Sequence, residues 1–142
     1  MATGHFTDQG HKLMLSLLFQ AVTAPSQFLA ALVNDTVVGT DDWSDISANV
    51  QTGTGYSEAV INRDATASGW PTGPVLDSSE MMITSKTVTF AATGTNWIAT
   101  GAITLRADLA TDRLIAYVNI TPITLANGES ISAIFYPKLT KA

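Results

Sequence analysis

The chain has no cysteine, which excludes disulfides and thiolate metal sites. It is also poor in charge. Only 13% of its 142 residues are Asp, Glu, Lys or Arg, about half the usual share. Seven basic residues against twelve acidic ones leave a net charge of −5. The basic residues are scattered, apart from a weak grouping of Lys138 and Lys141 near the end. Phosphate backbones are held by clustered Lys and Arg, so nucleic acid is not an expected partner. Long apolar runs are missing too. The leucine-rich stretch from Leu13 to Phe19 is interrupted by Ser16 and falls far short of the roughly 20 residues that span a bilayer. No membrane association is expected. Nor is a signal peptide, because the residues before Lys12 include His5, Asp8 and His11 rather than a basic cluster.

Small polar residues, chiefly Thr, replace the missing charge, and hydrophobic residues make up 46%. Thr and Val favour strands because a branched Cβ packs well on a pleated surface. A chain of this length fits one domain and buries roughly 68–70% of its unfolded surface. A Thr-rich, Lys-poor exterior is what remains when much of a domain's outside faces other protein.

Residues 1–7 read as a flexible N-terminal arm, with a single domain over 8–142. Thr7 or Asp8 can cap a helix over about 8–20, where Leu13, Leu17 and Gln20 share a face. Gly10 weakens its start by up to about 1 kcal/mol, and Pro25 ends any continuation. Everything beyond reads as β. Phe28 to Val33 predicts a central strand. Thr36 to Asn49 is a loop holding one helical turn, because Trp43, Ile46 and Val50 lie at helical spacing. Gly53-Thr54-Gly55 predicts a sharp turn into a strand over Tyr56 to Ile61. Asp64 to Asp77, rich in Gly, Pro and Ser, predicts a surface excursion. Met81 to Ile83 predicts an edge pairing, and Lys86 to Phe90 a further strand. Along Trp97 to Arg106, the set Trp97, Ala99, Gly101, Ile103 and Leu105 is expected to face inward. Leu114 to Ile120 returns, Asn127-Gly128 turns, and Ile131 to Tyr136 closes the fold before Pro137. The expected fold is mainly β: an antiparallel, jelly-roll-like β-sandwich of about seven to eight strands with one short N-terminal helix.

Candidate chemistry is sparse. His5 and His11 are six apart, on different faces of any helix, and read as exposed or interface imidazoles rather than metal ligands. Asp41, Asp42 and Asp45 could offer carboxylates to a hard cation. They lack the alternating ligands, central Gly and closing Glu of an EF-hand loop, so a solvated acidic loop is the expectation. The glycines at 53 and 55 lack the Gly-Lys-Ser/Thr and following helix of a P-loop. There is no Gly-x-Ser-x-Gly elbow, and nothing supports pairing Glu58 with Glu80 as a glycosidase couple. Neither catalytic residues, a metal nor a cofactor is expected. Trp97 is expected in the core and Trp43 as a plug on the sandwich. Trp70, before Pro71 in the long loop, is expected to be exposed, touching a partner subunit or a sugar ring. With His5 and Phe6 of the arm, Trp70 and Pro71 form the expected interface set.

The order of features carries a resemblance over about residues 10–136. A leucine-rich helix (Lys12-Leu13-Met14-Leu15-Ser16-Leu17-Leu18-Phe19) precedes the strand Phe28-Leu29-Ala30-Ala31-Leu32. Then come Thr52-Gly53-Thr54-Gly55-Tyr56, the pair Trp70-Pro71, Val88-Thr89-Phe90, Trp97 and the turn from Asp108 to Asp112. This resembles small virion structural proteins of tailed bacteriophages, of the tail-fibre-like and head-decoration kind. Ser57-Glu58 stand where family members carry an Arg, and the turn at 108–112 has no glycine. The resemblance implies a non-enzymatic virion protein. Its expected role is capsid decoration or cement, bound to the major capsid protein or other virion proteins and to itself as a homotrimer or other symmetric oligomer. The alternative is a tail, fibre or spike component with a host-surface role.

Overall fold

A computed structural model describes residues 4–77, 80–109 and 113–140. The chain is mainly β and its sheets are antiparallel, forming a sandwich-like fold. Among the described residues there are ten strands, more than the sequence predicts: β1 His5–Phe6, β2 Gln27–Val33, β3 Ala59–Asn62, β4 Thr72–Asp77, β5 Glu80–Thr84, β6 Val88–Ala91, β7 Trp97–Ala107, β8 Arg113–Leu125, β9 Ser130–Ala133 and β10 Lys138–Thr140. Helix α1 spans Asp8–Phe19, and a short α2 spans Trp43–Ile46 before a 3₁₀ turn at Ser47–Asn49.

The main sheet has the order β1-β8-β7-β2-β3; smaller sheets are β10-β5-β4 and β6-β9. The apolar run of β2 places it inside the main sheet, between β7 and β3. Ala30, Leu32, Ile61, Ile103 and Leu105 on one face of that sheet meet Val88, Phe90 and Trp70 in one core. Trp97 lies in this core, as its strand pattern predicts. The opposite face is buried as well, which the pattern does not predict. Ala102 packs there with Val33 and Leu114 beneath Val37 and Ile46 of the 36–50 segment. The side chain of Ala99 lies outside the described residues.

Several expectations are corrected. The arm is not loose over its last residues: His5–Phe6 pair with Tyr117 and Ala116 of β8, and Thr7 is fully buried. Residues 1–3 lie outside the described residues. Tyr56 sits in the turn, and β3 begins only at Ala59. The 64–77 excursion returns as β4, and β5 is the middle strand of its sheet rather than an edge. Pro137 ends nothing, because Lys138–Thr140 pair with β5 directly after it. Asn127-Gly128 does turn the chain, but it links β8 to β9, and β9 pairs with β6. Gly128 takes φ 93 while Asn127 keeps a negative φ, so the mirror-image hairpin turn is not formed.

A β-bulge positions α1. Leu105 faces Ala116 and Arg106 faces Leu114, leaving Ile115 as the extra residue on β8. Thr7 and Gln9 take up the backbone groups freed there. The Thr7 N–H donates to Ile115 O at 2.9 Å, the Thr7 hydroxyl donates to Leu114 O, and Leu114 N–H donates to Gln9 Oε1 at 3.0 Å. Thr7 Oγ1 also accepts from Gly10 N–H at 3.0 Å, so one hydroxyl caps α1 and anchors it to the bulge. Gly10 is required for the close approach: a Cβ there would lie 2.2 Å from Ile115 O. The cost of Gly to the helix is offset by that contact.

Candidate functional site

Helix α1 is apolar on more sides than one fold can cover. Leu13 is buried beside Ile115 and Ala107, with Leu17 packed against them. Leu15, Leu18 and Phe19 point the other way, spaced i, i+3 and i+4, and Leu18 and Phe19 are 75% and 79% exposed. Val22, just beyond the helix, is also partly exposed. A shallow surface lined by Asp8, His11, Lys12, Leu15, Phe19 and Gln20 is built from α1 and its C-cap alone. No charged residue lies between Lys12 and Asp35, so the patch is uncharged along its C-terminal half. A second apolar pair, Leu76 and Met81, faces out side by side across β4 and β5. Contiguous exposed apolar surface of this kind marks contact sites.

On its inner side α1 borders a cleft of about 280 Å³. Its floor is Phe28, Leu105 and Ile115 of the main sheet. Leu13, Met14 and Leu17 of α1 form one wall; Trp70, Ile83 and Pro137 form the other. Arg63 is the one charged residue on the lining.

Of the four residues expected to form an interface, Phe6 and Trp70 line the same cleft, while His5 and Pro71 are exposed beside them in sequence. His5 is exposed and lies against the Tyr117 ring at 5.7 Å. Phe6 is half-buried, 5.5 Å from the His11 ring, and lines the cleft. Pro71 is exposed. Trp70 is only 8% exposed, edge-on to Phe28 at 5.8 Å and 89°, so the expectation of an exposed ring is corrected. Its indole is drawn into the core by an aromatic partner about forty positions away, a contact that the Gly- and Pro-rich local composition cannot signal.

The acidic residues at 41–45 act as backbone acceptors. Asp42 and Asp45 form a reciprocal capping box on α2, and Asp41 Oδ2 accepts from Val38 N–H at 2.8 Å. The Ser44 hydroxyl donating to Asp42 holds that carboxyl below its ordinary pKa. No group of three metal-ligating side chains occurs among the described residues. Beside α2, Arg106 makes a two-point ion pair with Glu58, at 2.6 and 3.3 Å, and lies 4.6 Å over the Trp43 ring. Both partners are largely sequestered, 12% and 21% exposed. This ties the turn before β3 to β7 and to the helical loop, and Trp43 serves there as the expected plug.

The Gly53–Tyr56 turn is a structural corner. Gly55 takes φ 78, and Tyr56 N–H donates to Gly53 O at 2.9 Å. A Cβ on Gly53 would sit 2.3 Å from Trp97 Cδ1, and Trp97 Nε1 donates to Thr54 O at 3.1 Å. The Tyr56 ring stacks on Phe90 and meets Trp97 edge-on.

The outer face of α1 was missed from sequence because the helix was read for one apolar face; Leu15, Leu18 and Phe19 already carried the signal of a second. Comparison with protein-family models, with curated proteins and with solved structures returned no match.

Proposed function

We propose that this chain is a non-enzymatic structural protein of a tailed-phage virion, a capsid decoration or cement protein that works by contact. The observation that carries the contact role is the uncharged stripe Leu15, Leu18 and Phe19 on a helix anchored at Thr7. An apolar stripe of this kind on the side that its own fold leaves open marks a face for a second protein. In this reading α1 lies against the major capsid protein or a neighbouring copy, and the order of sequence features supplies the virion context. The sugar-binding alternative rested on an exposed Trp70 ring, and the burial of that ring removes its support.

The test is location and attachment. Antibody labelling of intact particles is expected to mark the head, and labelling confined to the tail tip overturns the decoration role. Leu18→Lys with Phe19→Lys changes exposed positions only. It is expected to lower occupancy on purified particles at least tenfold while the isolated protein keeps its circular dichroism spectrum. Unchanged occupancy would remove α1 from the contact.

A further inference from the structure

Two apolar surfaces of the chain are left uncovered by its own fold, one convex and one concave. The convex one is the outer side of α1, where Leu15, Leu18 and Phe19 stand out into solvent. The concave one is the cleft between α1 and Trp70, open to solvent and lined almost wholly by carbon. Water in an apolar hollow finds too few hydrogen-bond partners, so an apolar side chain displaces it readily.

The concave surface continues past the mouth of the cleft. Ile83 of β5 lies on the cleft wall. Side chains alternate along a strand, so Met81 shares the face of Ile83. Leu76 stands directly opposite Met81 in the β4–β5 register and shares that face too. The exposed pair Leu76 and Met81 therefore carries the cleft wall outward.

Size, spacing and charge of the two surfaces match. A hollow of about 150 Å³ lined by aliphatic and aromatic side chains takes a benzene ring, so a cleft of about 280 Å³ admits the Phe19 ring with Leu18 beside it. Ile83 and Met81 are spaced by about 6.8 Å along their strand. Leu15 and Phe19 are spaced by about 6 Å along their helix. A helix laid along β5 thus meets the cleft and the Leu76–Met81 pair together. The stripe carries no charge between Lys12 and Asp35, so none is stripped of water when it enters a carbon-lined cleft. Packing two α1 stripes on each other would bury only three side chains a copy, short of the roughly 800 Å² per partner of a standard interface. It would also leave the cleft bare.

We infer that α1 of one copy docks in the cleft of a second copy, Leu18 and Phe19 entering beside Ile83 and Leu15 lying against Leu76 and Met81. This rests on α1 being a contact face and not on the virion setting. The contact is head-to-tail. Each pair keeps one free helix face and one free cleft, so association runs past the dimer and closes into a ring where the rotation allows.

The chain has no cysteine, so single introduced thiols report the pairing. Leu15→Cys and Met81→Cys are both at exposed positions. Mixed and oxidised at about 0.1 mM, they are expected to give a disulfide-linked dimer that neither variant gives alone. Leu76→Lys with Met81→Lys leaves α1 untouched and is expected to weaken self-association about tenfold in sedimentation velocity, with the circular dichroism spectrum unchanged. A disulfide dimer from Leu15→Cys alone would show stripe packed on stripe; it overturns the inference and keeps α1 as a contact face. No linked dimer in the mixture, or unchanged association in the double Lys variant, also overturns it. So does a wild type that stays monomeric at that concentration, an outcome that leaves the particle-occupancy test of α1 to stand or fall separately.

Discussion

Tyr56 does the work of a missing strand. β3 pairs with β2 only as far as Ala30; beyond it the edge of β2 meets the 49–51 segment through a bridge between Val33 and Val50. The Tyr56 hydroxyl accepts the Leu32 N–H at 2.9 Å, and Gln51 N–H donates to Leu32 O at the same distance. Burial pushes the phenol up to about 12, because the phenolate would lose its water. A raised folded-state pKa contributes stability that is whole below the unfolded value near 10 and is lost as pH rises toward 12. Tyr56→Phe is therefore expected to cost about 1–3 kcal/mol at pH 7, from the orphaned Leu32 N–H. It should also flatten the fall in stability between about pH 10 and pH 12. Urea titrations of both proteins at pH 7, 10 and 11.5 check this; parallel pH profiles would contradict it. The turn itself was legible, since Gly53 and Gly55 mark it in any reading. The role of Tyr56 was not, because an aromatic beside β-branched residues reads as strand. Only the short reach of β3 shows that its hydroxyl is needed elsewhere.

At the scale of elements, the sequence pattern shows the helix almost to its ends but not the pairing of His5–Phe6 before it. Thr7 was a legible cap, and the observed helix, Asp8–Phe19, falls within the expected span. Its attachment was hidden, because the partner carbonyls belong to Leu114 and Ile115, more than a hundred positions away. The bulge that presents them arises from β7–β8 register, which no local pattern in β8 announces. The cleft was illegible for the same reason: its walls come from α1, the segment ending at Trp70 and the chain around Pro137. Thr7→Val keeps the shape of the side chain and removes the hydroxyl's bonds to Leu114, Ile115 and Gly10. It is expected to destabilise the chain by about 2–3 kcal/mol, combining a lost cap with an unsatisfied buried carbonyl. Amide exchange should accelerate in α1 before it does in β2 and β7. A loss below about 0.5 kcal/mol would show that the bulge does not hold the helix. Deleting residues 1–7 is expected to cost at least as much, since it removes β1 as well.

The whole molecule combines net repulsion with local adhesion. Two copies, each of net charge −5, repel over about 10 Å in 0.1 M salt and over about 3 Å in 1 M salt. The α1 stripe carries no charge between Lys12 and Asp35, so contacts made through it are apolar and are not screened. The two terms predict opposite salt responses for opposite kinds of interface. Joined by α1, copies should associate more tightly as salt rises, because repulsion is removed while apolar attraction persists. Joined by ion pairs, they should loosen. Sedimentation velocity in 0.1 M and 1 M NaCl is expected to show the oligomer growing with salt. Leu18→Ser with Phe19→Ser is expected to give monomer in both conditions. Dissociation at high salt would assign self-association to charged surface elsewhere, and a wild-type monomer in both conditions would leave the α1 face to a different protein.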